Sequence, residues 1–366
     1  MAITYKKSLD SITPFKPARS LESVRREFGI TEIIKLAGNE NNHGFSPLVH
    51  QAILNLSDSI TRYPDPYGTS LREVLARHLG IREDELLFGN GSFELISLVA
   101  QAFLEENTEA VMPVPSFGWY TIATKAENAT PVLVPLSKPG YTLDLEGMLG
   151  SIGEKTRVLW FCNPNNPTGT YIPAQKLEGF LWSVPSNVVV VLDEAYIDFV
   201  AEDKSRSIEF IQSFPNIISL RTFSKVYGLA SLRIGYAIAN PGLIDKLSRI
   251  RSPVNTNAIA QAAALAALKD EAFYSYVVSE NEKGRQLYYA TLERLGLPYL
   301  PSQCNFIMLD TGQDSEEIEY AFLKEGILIR GGKEFGMPTW IRITIGTEKE
   351  NLKVLGILER LQQRRI

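Results

Sequence analysis

The sequence predicts an α/β protein with a mainly parallel sheet that carries helices on both faces, followed by a smaller α+β domain. Across residues 86–239, short apolar runs alternate with helical patterns, which is typical of a parallel sheet. Beyond residue 240 the chain is mainly helical with a few short strands. With 366 residues, of which 45% are hydrophobic, the chain is long enough to form two cores.

The same change of pattern predicts the domain boundaries. We expect residues 1–45 to form an arm that packs with the small domain, since Pro14 and Pro17 interrupt regular helix. Residues 46–255 would form the large domain, and residues 256–366 the small one with a long interdomain helix over residues 273–295. The loop at residues 35–47, rich in glycine and asparagine, is either a plain connection or an edge of the active site.

The composition argues against several classes of function. The formal net charge of −5 argues against binding to nucleic acid or to an anionic membrane, since both need a basic surface. The two cysteines, Cys162 and Cys304, and the three histidines show no metal-ligand spacing, so we expect no metal site. We find neither an apolar targeting segment nor a run long enough to span a membrane, and we expect a protein of the reducing cytoplasm.

A glycine-rich turn, Gly89-Asn90-Gly91-Ser92, follows the first predicted strand and opens an apolar helix. Free backbone amides and the helix dipole favour an anion at such a turn. The third glycine and the distal acid of the dinucleotide fingerprint are missing, which excludes a nicotinamide-linked dehydrogenase. Phe117, at the end of the next strand, either stacks on a flat cofactor ring or belongs to the core.

Two further strands end in polar residues that would share one crevice. The strand at residues 157–162 is followed by a stiff turn that contains Asn166, and the valine-rich strand at residues 188–192 leads to Asp193. Ligands of open α/β sheets bind outside the carboxyl ends of the strands, so both side chains would face a ligand. Asp193 is either the acidic partner of a cofactor's pyridine nitrogen or the cap of the next helix.

The residue around which we expect the site to be organised is Lys225, in a hydroxyl-rich turn after the apolar run 217–220. A lysine amine can form a Schiff base with an aldehyde, and Thr222, Ser224 and Arg233 would suit a phosphate. An aldehyde and a phosphate on one small molecule indicate pyridoxal phosphate (PLP). Taken alone, Lys225 would be interpreted as a solvated turn lysine.

Two arginines of the predicted small domain are candidate anion ligands. Arg330 follows a short strand, and Arg342 is flanked by isoleucines. A guanidinium is costly to bury without an anion, so Arg342 either has an internal carboxylate partner or awaits the anion of a ligand.

Five motifs together resemble the PLP-dependent aminotransferases of fold type I, and within them the histidinol-phosphate aminotransferase family. In chain order they are GNGS, CNPNNPTG, DEAYIDF, RTFSKxYGLAxxRIG and IRITIGT, and they extend over essentially the whole chain. The resemblance implies a mainly parallel, seven-stranded large domain that binds PLP. It also implies a homodimer with shared active sites.

The resemblance further implies a role for each candidate residue. Lys225 would carry the cofactor and, once released, move the proton between Cα and C4′. Asp193 would pair with the pyridinium, Asn166 and Tyr196 would bond the phenolic oxygen, and Phe117 would stack on the ring. The remaining ligands would be Ser92, Phe93, Thr222, Ser224 and Arg233 for the cofactor phosphate, with Tyr63 of the other subunit, and Arg330, Arg342, Asn41 and Phe15 for the substrate.

The implied reaction exchanges an amino group between histidinol phosphate and 2-oxoglutarate or glutamate, in histidine biosynthesis. Many members carry a tyrosine where Phe15 stands, and some carry one where Val254 stands. Phe15 cannot donate a hydrogen bond to a phosphate, so an aromatic amino acid aminotransferase is the alternative. A threonine-phosphate decarboxylase shares the fold, but the segment 115–120 resembles the transaminases. A PLP-sensing transcriptional regulator would need an added DNA-binding domain.

Overall fold

The computed structural model of the chain describes residues 3–14, 19–30, 32–56, 61–201 and 206–363. Its helices are α1 (Leu21–Phe28), α2 (Pro47–Leu54), α3 (Thr69–Leu79), α4 (Ser92–Phe103), α5 (Trp119–Ala126), α6 (Leu145–Gly150), α7 (Ala174–Leu181), α8 (Arg206–Ser213), α9 (Pro241–Ile250), α10 (Ala258–Ala267), α11 (Glu271–Leu295), α12 (Ser315–Lys324) and α13 (Glu348–Gln363). Its strands are β1 (Ile34–Lys35), β2 (Leu86–Gly89), β3 (Glu109–Val114), β4 (Thr130–Pro135), β5 (Thr156–Cys162), β6 (Val189–Asp193), β7 (Ile217–Thr222), β8 (Gly235–Ala239), β9 (Tyr299–Leu300), β10 (Phe306–Asp310), β11 (Ile327–Leu328), β12 (Arg330–Gly331) and β13 (Trp340–Thr344).

The large sheet has seven strands in the order β2-β8-β7-β6-β5-β3-β4. Neighbouring strands from β7 to β4 are parallel, whereas β8 runs antiparallel to both β7 and β2. The predicted fold class, a mainly parallel seven-stranded sheet, is confirmed.

Both faces of the large sheet are buried, which explains the continuous apolar runs of its strands. In β6, Val189 and Val191 belong to the core on one face, where α4, α5 and α9 pack. Val190 and Leu192 belong to the core on the other face, which is covered by α6, α7 and α8 and extends to α2, α3 and α10. The alternation leaves the strand ends, rather than the faces, for polar side chains.

A smaller α+β region follows the large sheet. Its four antiparallel strands lie in the order β12-β13-β10-β9, and α11, α12 and α13 pack on them. The predicted long helix is α11, which has 25 residues. The division of the chain at residues 45 and 255 stays a prediction, and α10 packs with α2 and α3 of the large region.

The N-terminal arm contacts both regions. In α1, Val24 shares a core cluster with Leu323 and Leu328 of the small region, and β1 pairs in parallel with β11. The first part of the arm departs from the predicted packing with the small domain. Lys6 Nζ there donates to the carbonyl oxygen of Ala126 at 2.9 Å, because the end of α5 offers unpaired carbonyl groups to a cation.

Two kinds of feature are absent from the part of the chain that the structure describes. None of its helices combines the length and the apolar character needed to cross a lipid bilayer. The same described residues contain no group of three or more His, Cys, Asp or Glu side chains that could hold a metal ion. Cys162 and Cys304 are both buried and free of disulfides.

We predict opposite effects for two glycines inside helices of the small region. An added Cβ at Gly284 in α11 would lie 2.5 Å from Ile345 Cγ2, so Gly284→Ala should lower the free energy of unfolding by about 1–3 kcal/mol. An added Cβ at Gly356 in α13 meets its nearest atom at 3.8 Å, so Gly356→Ala should raise it by about 0.5–1 kcal/mol through helix propensity. Urea denaturation measures both changes, and effects of the same sign would contradict the packing described for Gly284.

Candidate active site

The carboxyl ends of β5, β6 and β7 meet at one edge of the large sheet. The parallel register places Cys162 opposite Asp193, and Asp193 opposite Leu220. Asp193 and the turns that contain Asn166 and Lys225 therefore lie at the same edge, as the crevice rule predicts.

The amine of Lys225 is buried in this edge. Its Nζ donates hydrogen bonds to the backbone oxygens of Asn39 at 3.1 Å and of Gly38 at 3.4 Å. Burial lowers the pKa of Lys225 to about 8, an effect that Glu40 opposes and Arg342 reinforces. An amine with this pKa is partly neutral at pH 7, and the neutral amine is the form that attacks carbonyl carbons and accepts protons.

Asp193 is a buried acid at the end of β6. Its Oδ2 accepts a hydrogen bond from the Tyr120 hydroxyl at 2.7 Å, and its Oδ1 accepts one from the backbone N–H of Ala195 at 3.1 Å. Burial raises the pKa of Asp193 to about 6, and the two hydrogen bonds offset part of this rise. A protonated ring nitrogen placed beside this carboxylate would stabilise its charged form.

Tyr120 is a functional residue that the sequence analysis missed. Its ring is fully buried and stacks on Trp160 with 5.2 Å between ring centroids, which holds the hydroxyl on Asp193. Its ring also packs edge to face on Phe117, from which it is separated by only two residues, and this proximity to Phe117 in the sequence was the available signal.

The hydroxyl of Tyr196 accepts hydrogen bonds from two side-chain amides. Asn39 Nδ2 donates to it at 2.9 Å, and Asn166 Nδ2 donates at 3.4 Å. Burial raises the pKa of Tyr196, so the phenol keeps its proton. Asn39 was also missed: it is buried with a left-handed φ of 54°, but nothing in the asparagine-rich loop distinguished it from its neighbours.

A candidate phosphate site lies at the beginning of α4. The Thr222 hydroxyl donates to Ser224 Oγ at 2.8 Å, and Arg233 Nη1 lies 3.5 Å from the same oxygen. Gly91 has a φ of 76°, and a Cβ at this position would overlap Arg233 Nη2, so the guanidinium packs on the turn before Ser92 only because Gly91 has no side chain. Hydroxyls, a guanidinium and free helix amides form a donor set suited to phosphate.

The ring of Phe117 is half-buried and is held by other aromatic rings. Phe93 packs on it edge to face at 5.0 Å between centroids, and Tyr120 does the same at 5.5 Å. The side chain of Phe93 therefore supports the ring that is predicted to stack on the cofactor.

Arg330 and Arg342 are direct partners on the antiparallel strands β12 and β13. Arg342 is buried, and its Nη1 donates to Asn166 Oδ1 at 2.5 Å while its Nη2 donates to Ala37 O at 2.9 Å. Among the described residues Arg342 has no ion-pair partner and its Nε makes no hydrogen bond, which leaves a ligand anion as its expected partner. Arg330, in contrast, forms an ion pair with Glu334.

Three predicted residues have no shown contact with the crevice. Asn41 Nδ2 donates to the carbonyl oxygen of Val226 at 2.8 Å, which fastens its loop to the turn that contains Lys225. Tyr63 is 89% exposed and makes no hydrogen bond within the described ranges. Phe15 lies outside the described residues.

The described residues fit the cofactor that the sequence predicts. Lys225 offers an amine, and Asp193 offers a buried acid that is poorly solvated without a cationic partner. The turn at Gly91 leaves room for Arg233 beside the free amides of α4, where a phosphate would bind. These three groups match the aldehyde, the ring nitrogen and the phosphate of PLP.

Comparisons with known proteins agree with these observations. Residues 31–358 match the family model of aminotransferase class I and II. A histidinol-phosphate aminotransferase of Geobacillus sp. (strain WCH70) is 45% identical over 357 residues, and one of Geobacillus thermodenitrificans (strain NG80-2) is 46% identical over 357 residues; each alignment covers 97% of both chains.

A solved structure extends the similarity to the fold. The histidinol-phosphate aminotransferase of Sinorhizobium meliloti, determined in complex with pyridoxal-5'-phosphate, resembles this chain with a TM-score of 0.90 at 29% identity. The alignment covers 100% of this chain and 99% of that one.

We predict that Asp193 makes the stability of the cofactor-free protein fall as the pH rises from about 4 to about 6. Its pKa of about 6 in the folded state exceeds the ~3.9 of an unfolded aspartate, so the folded state binds more protons in this window. Asp193→Asn removes the titration and should gain about 1–3 kcal/mol on the wild type between pH 4 and pH 7. Urea denaturation at each pH gives the difference.

A matched control is Asp245→Asn. This carboxylate is exposed and bonded to Arg249, which lowers its pKa, so its removal should give no gain in stability with rising pH. Parallel pH profiles for the wild type and Asp193→Asn would contradict the assignment of a raised pKa to Asp193.

Proposed function

Because the chain belongs to the family of class I and II aminotransferases, we propose that it transfers an amino group between histidinol phosphate and 2-oxoglutarate with PLP as cofactor. The observation that carries this proposal is the convergence of the Lys225 amine, the Asp193 carboxylate and Arg342 on one crevice, with Arg330 paired to Arg342 across β12 and β13. Relatives of this name at 45% and 46% identity support the choice of substrate. The two free, buried cysteines suit the reducing cytoplasm.

Each group of the cofactor has a matching group in the chain. PLP supplies an aldehyde that takes up the amino group and a ring that accepts the electrons of the broken Cα–H bond. Asp193 would keep a proton on the ring nitrogen, and the amide of Asn166 with the hydroxyl of Tyr196 would hold the phenolic oxygen. The donor set around Ser224 and Arg233 would bind the phosphate.

Lys225 has two tasks in this proposal. Its Nζ would attach to the cofactor until the amino group of the substrate displaces it, and the released amine would then move the proton between Cα and C4′. A pKa near 8 suits both tasks, because near neutral pH both protonation states of the amine are populated. The neutral form can attach to the cofactor and accept the proton, and the protonated form can return it. The backbone oxygens of Gly38 and Asn39 orient Nζ by accepting its hydrogen bonds.

Arg330 and Arg342 would hold the anionic groups of both substrates. The pocket must accept a phosphate-ended amine in one half of the cycle and a dicarboxylate in the other. A guanidinium fork binds phosphate and carboxylate alike with two parallel hydrogen bonds. The contact of Arg342 with Asn166 connects this anion pocket to the groups that would hold the cofactor ring.

The proposal includes a homodimer with shared active sites. Tyr63 and Tyr67 are exposed, as are Leu48 and Leu54 on α2, and a second copy could bury apolar side chains of this kind. The resemblance to the family supports the additional role of Tyr63, whose hydroxyl would reach the phosphate site of the partner.

We predict that histidinol phosphate converts the bound cofactor faster than phenylalanine does, because both arginines can hold a phosphate. Absorbance of the PLP form, mixed rapidly with each amine, measures the two half-reactions. Lys225→Ala should react at least about 100-fold more slowly, whereas Lys176→Ala, a matched change on the exposed side of α7, should react like the wild type. Faster reaction with phenylalanine would favour an aromatic amino acid aminotransferase, with Phe15 and Val254 as determinants.

We predict that the protein sediments as a dimer and that Tyr63→Phe weakens PLP binding about tenfold, the size expected for one lost hydrogen bond to a phosphate. Tyr67→Phe, in the same exposed segment, should leave the affinity unchanged. Sedimentation equilibrium and PLP titration measure the two quantities. A monomer with full PLP affinity would refute the shared site.

A further inference from the structure

We propose that Glu334 is a specificity-determining residue whose carboxylate binds Arg330 and thereby weakens the binding of a substrate's second anionic group. The inference rests on the proposed function, since it takes Arg330 and Arg342 as the groups that hold the anions of the substrate. It adds a carboxylate of the chain itself that competes with the substrate for one of them.

The two arginines are placed where like charges repel. Arg330 and Arg342 are paired across β12 and β13, so their side chains leave the same face of the sheet with Cβ atoms about 5 Å apart. The side chain of Arg330 is only 15% exposed, and Arg342 is buried. Burial lowers the pKa of Arg342, and the charge of Arg330 acts in the same direction. Such a pair needs a nearby anion.

Glu334 supplies this anion from the 3-10 helix Lys333–Phe335. Arg330 Nε donates to Oε1 of Glu334, and Arg330 Nη2 donates to Oε2, so both carboxylate oxygens are engaged. This bidentate arrangement is the strong form of an arginine–carboxylate contact. The side chain of Glu334 is 37% exposed, so water can solvate the carboxylate when a ligand displaces it.

The two arginines therefore offer different sites to a ligand. Arg342 lies 5.3 Å from the ring centroid of Phe306 and 5.5 Å from that of Phe335, and it has no carboxylate partner among the described residues. A ligand with one carboxylate can use Arg342 alone. A ligand with two anionic groups must also displace Glu334 from Arg330 or share Arg330 with it, and the two negative charges then repel each other.

Neither of two other carboxylates in this region takes this role. Glu319 is half-buried, and burial raises its pKa, although the charge of Arg330 opposes this rise; the backbone N–H of Gly331 donates a hydrogen bond to it. It is thus tied to the backbone of β12. Glu316 forms an exposed ion pair with Lys333. Glu334 is the carboxylate with both oxygens on Arg330.

Calorimetric titration of the holoenzyme with two probes tests the proposal. Glutarate carries two carboxylates, and 3-phenylpropanoate carries one. Glu334→Gln keeps the shape of the side chain and removes its charge, so the Kd of glutarate should fall about three- to tenfold. The Kd of 3-phenylpropanoate should change less than about twofold, since that ligand needs one arginine. The KM for 2-oxoglutarate should fall together with the Kd of glutarate.

Glu316→Gln is the matched control, because it removes the same charge from a neighbouring ion pair that does not involve Arg330. It should leave both Kd values unchanged. Glu334→Ala removes the charge without leaving an amide and should also tighten glutarate binding. Unchanged or weaker glutarate binding in both Glu334 variants would overturn the proposal, since Glu334 would then merely orient Arg330. Failure of the wild type to react with histidinol phosphate is a separate result, because it refutes the proposed substrate and leaves the glutarate comparison intact.

Discussion

The in-register pairing of β5, β6 and β7 is the constraint on which the site depends. A slip of one residue would turn Asp193 toward the opposite face of the sheet, because side chains alternate along a strand. The acid that follows Asp193 helps to fix the register: Glu194 forms a buried ion pair with Arg221 at 3.0 Å and accepts a hydrogen bond from Ser219. Of these two consecutive acids, Asp193 belongs to the site and Glu194 stabilises the sheet. Loss of either partner of the Glu194–Arg221 pair would leave an uncompensated buried charge.

Burial prepares the site electrostatically. It shifts the pKa of Lys225 down and that of Asp193 up, so both groups are displaced toward their neutral forms. Folding removes these groups and Arg342 from water. A ligand with a protonated ring nitrogen and anionic ends would replace the lost solvation with charges of complementary sign. The same burial that makes the groups costly to the fold makes them responsive to a ligand of complementary charge.

The sequence predicted the sheet and the centre of the site because both are local in the chain. Apolar runs marked the strands; Asp193 ends β6, and Asn166 and Lys225 lie in the turns that follow β5 and β7. Contacts between distant segments could not be predicted. Asn39 meets Tyr196 across 157 residues, and Tyr120 meets Asp193 across 73, and no periodicity encodes either contact.

Two further features depend on three-dimensional contacts that the sequence does not show. The packing of the first part of the arm on α5 depends on carbonyl groups at the end of that helix, which are visible only in three dimensions. The spacing of Arg330 and Glu334 was visible in the sequence. The strand register, which places Arg330 opposite Arg342, was not visible, so the sequence did not show that Glu334 lies beside a pair of arginines.

One amide connects the two halves of the site. The oxygen of Asn166 accepts from Arg342 in the small region, and its nitrogen donates to Tyr196 in the large one. The amide is planar, so a rotation that improves one contact displaces the other. The affinities of the anion pocket and of the ring pocket are therefore thermodynamically linked, and by reciprocity an anion on Arg342 should change the affinity for the ring by the same factor by which the ring changes the affinity for the anion.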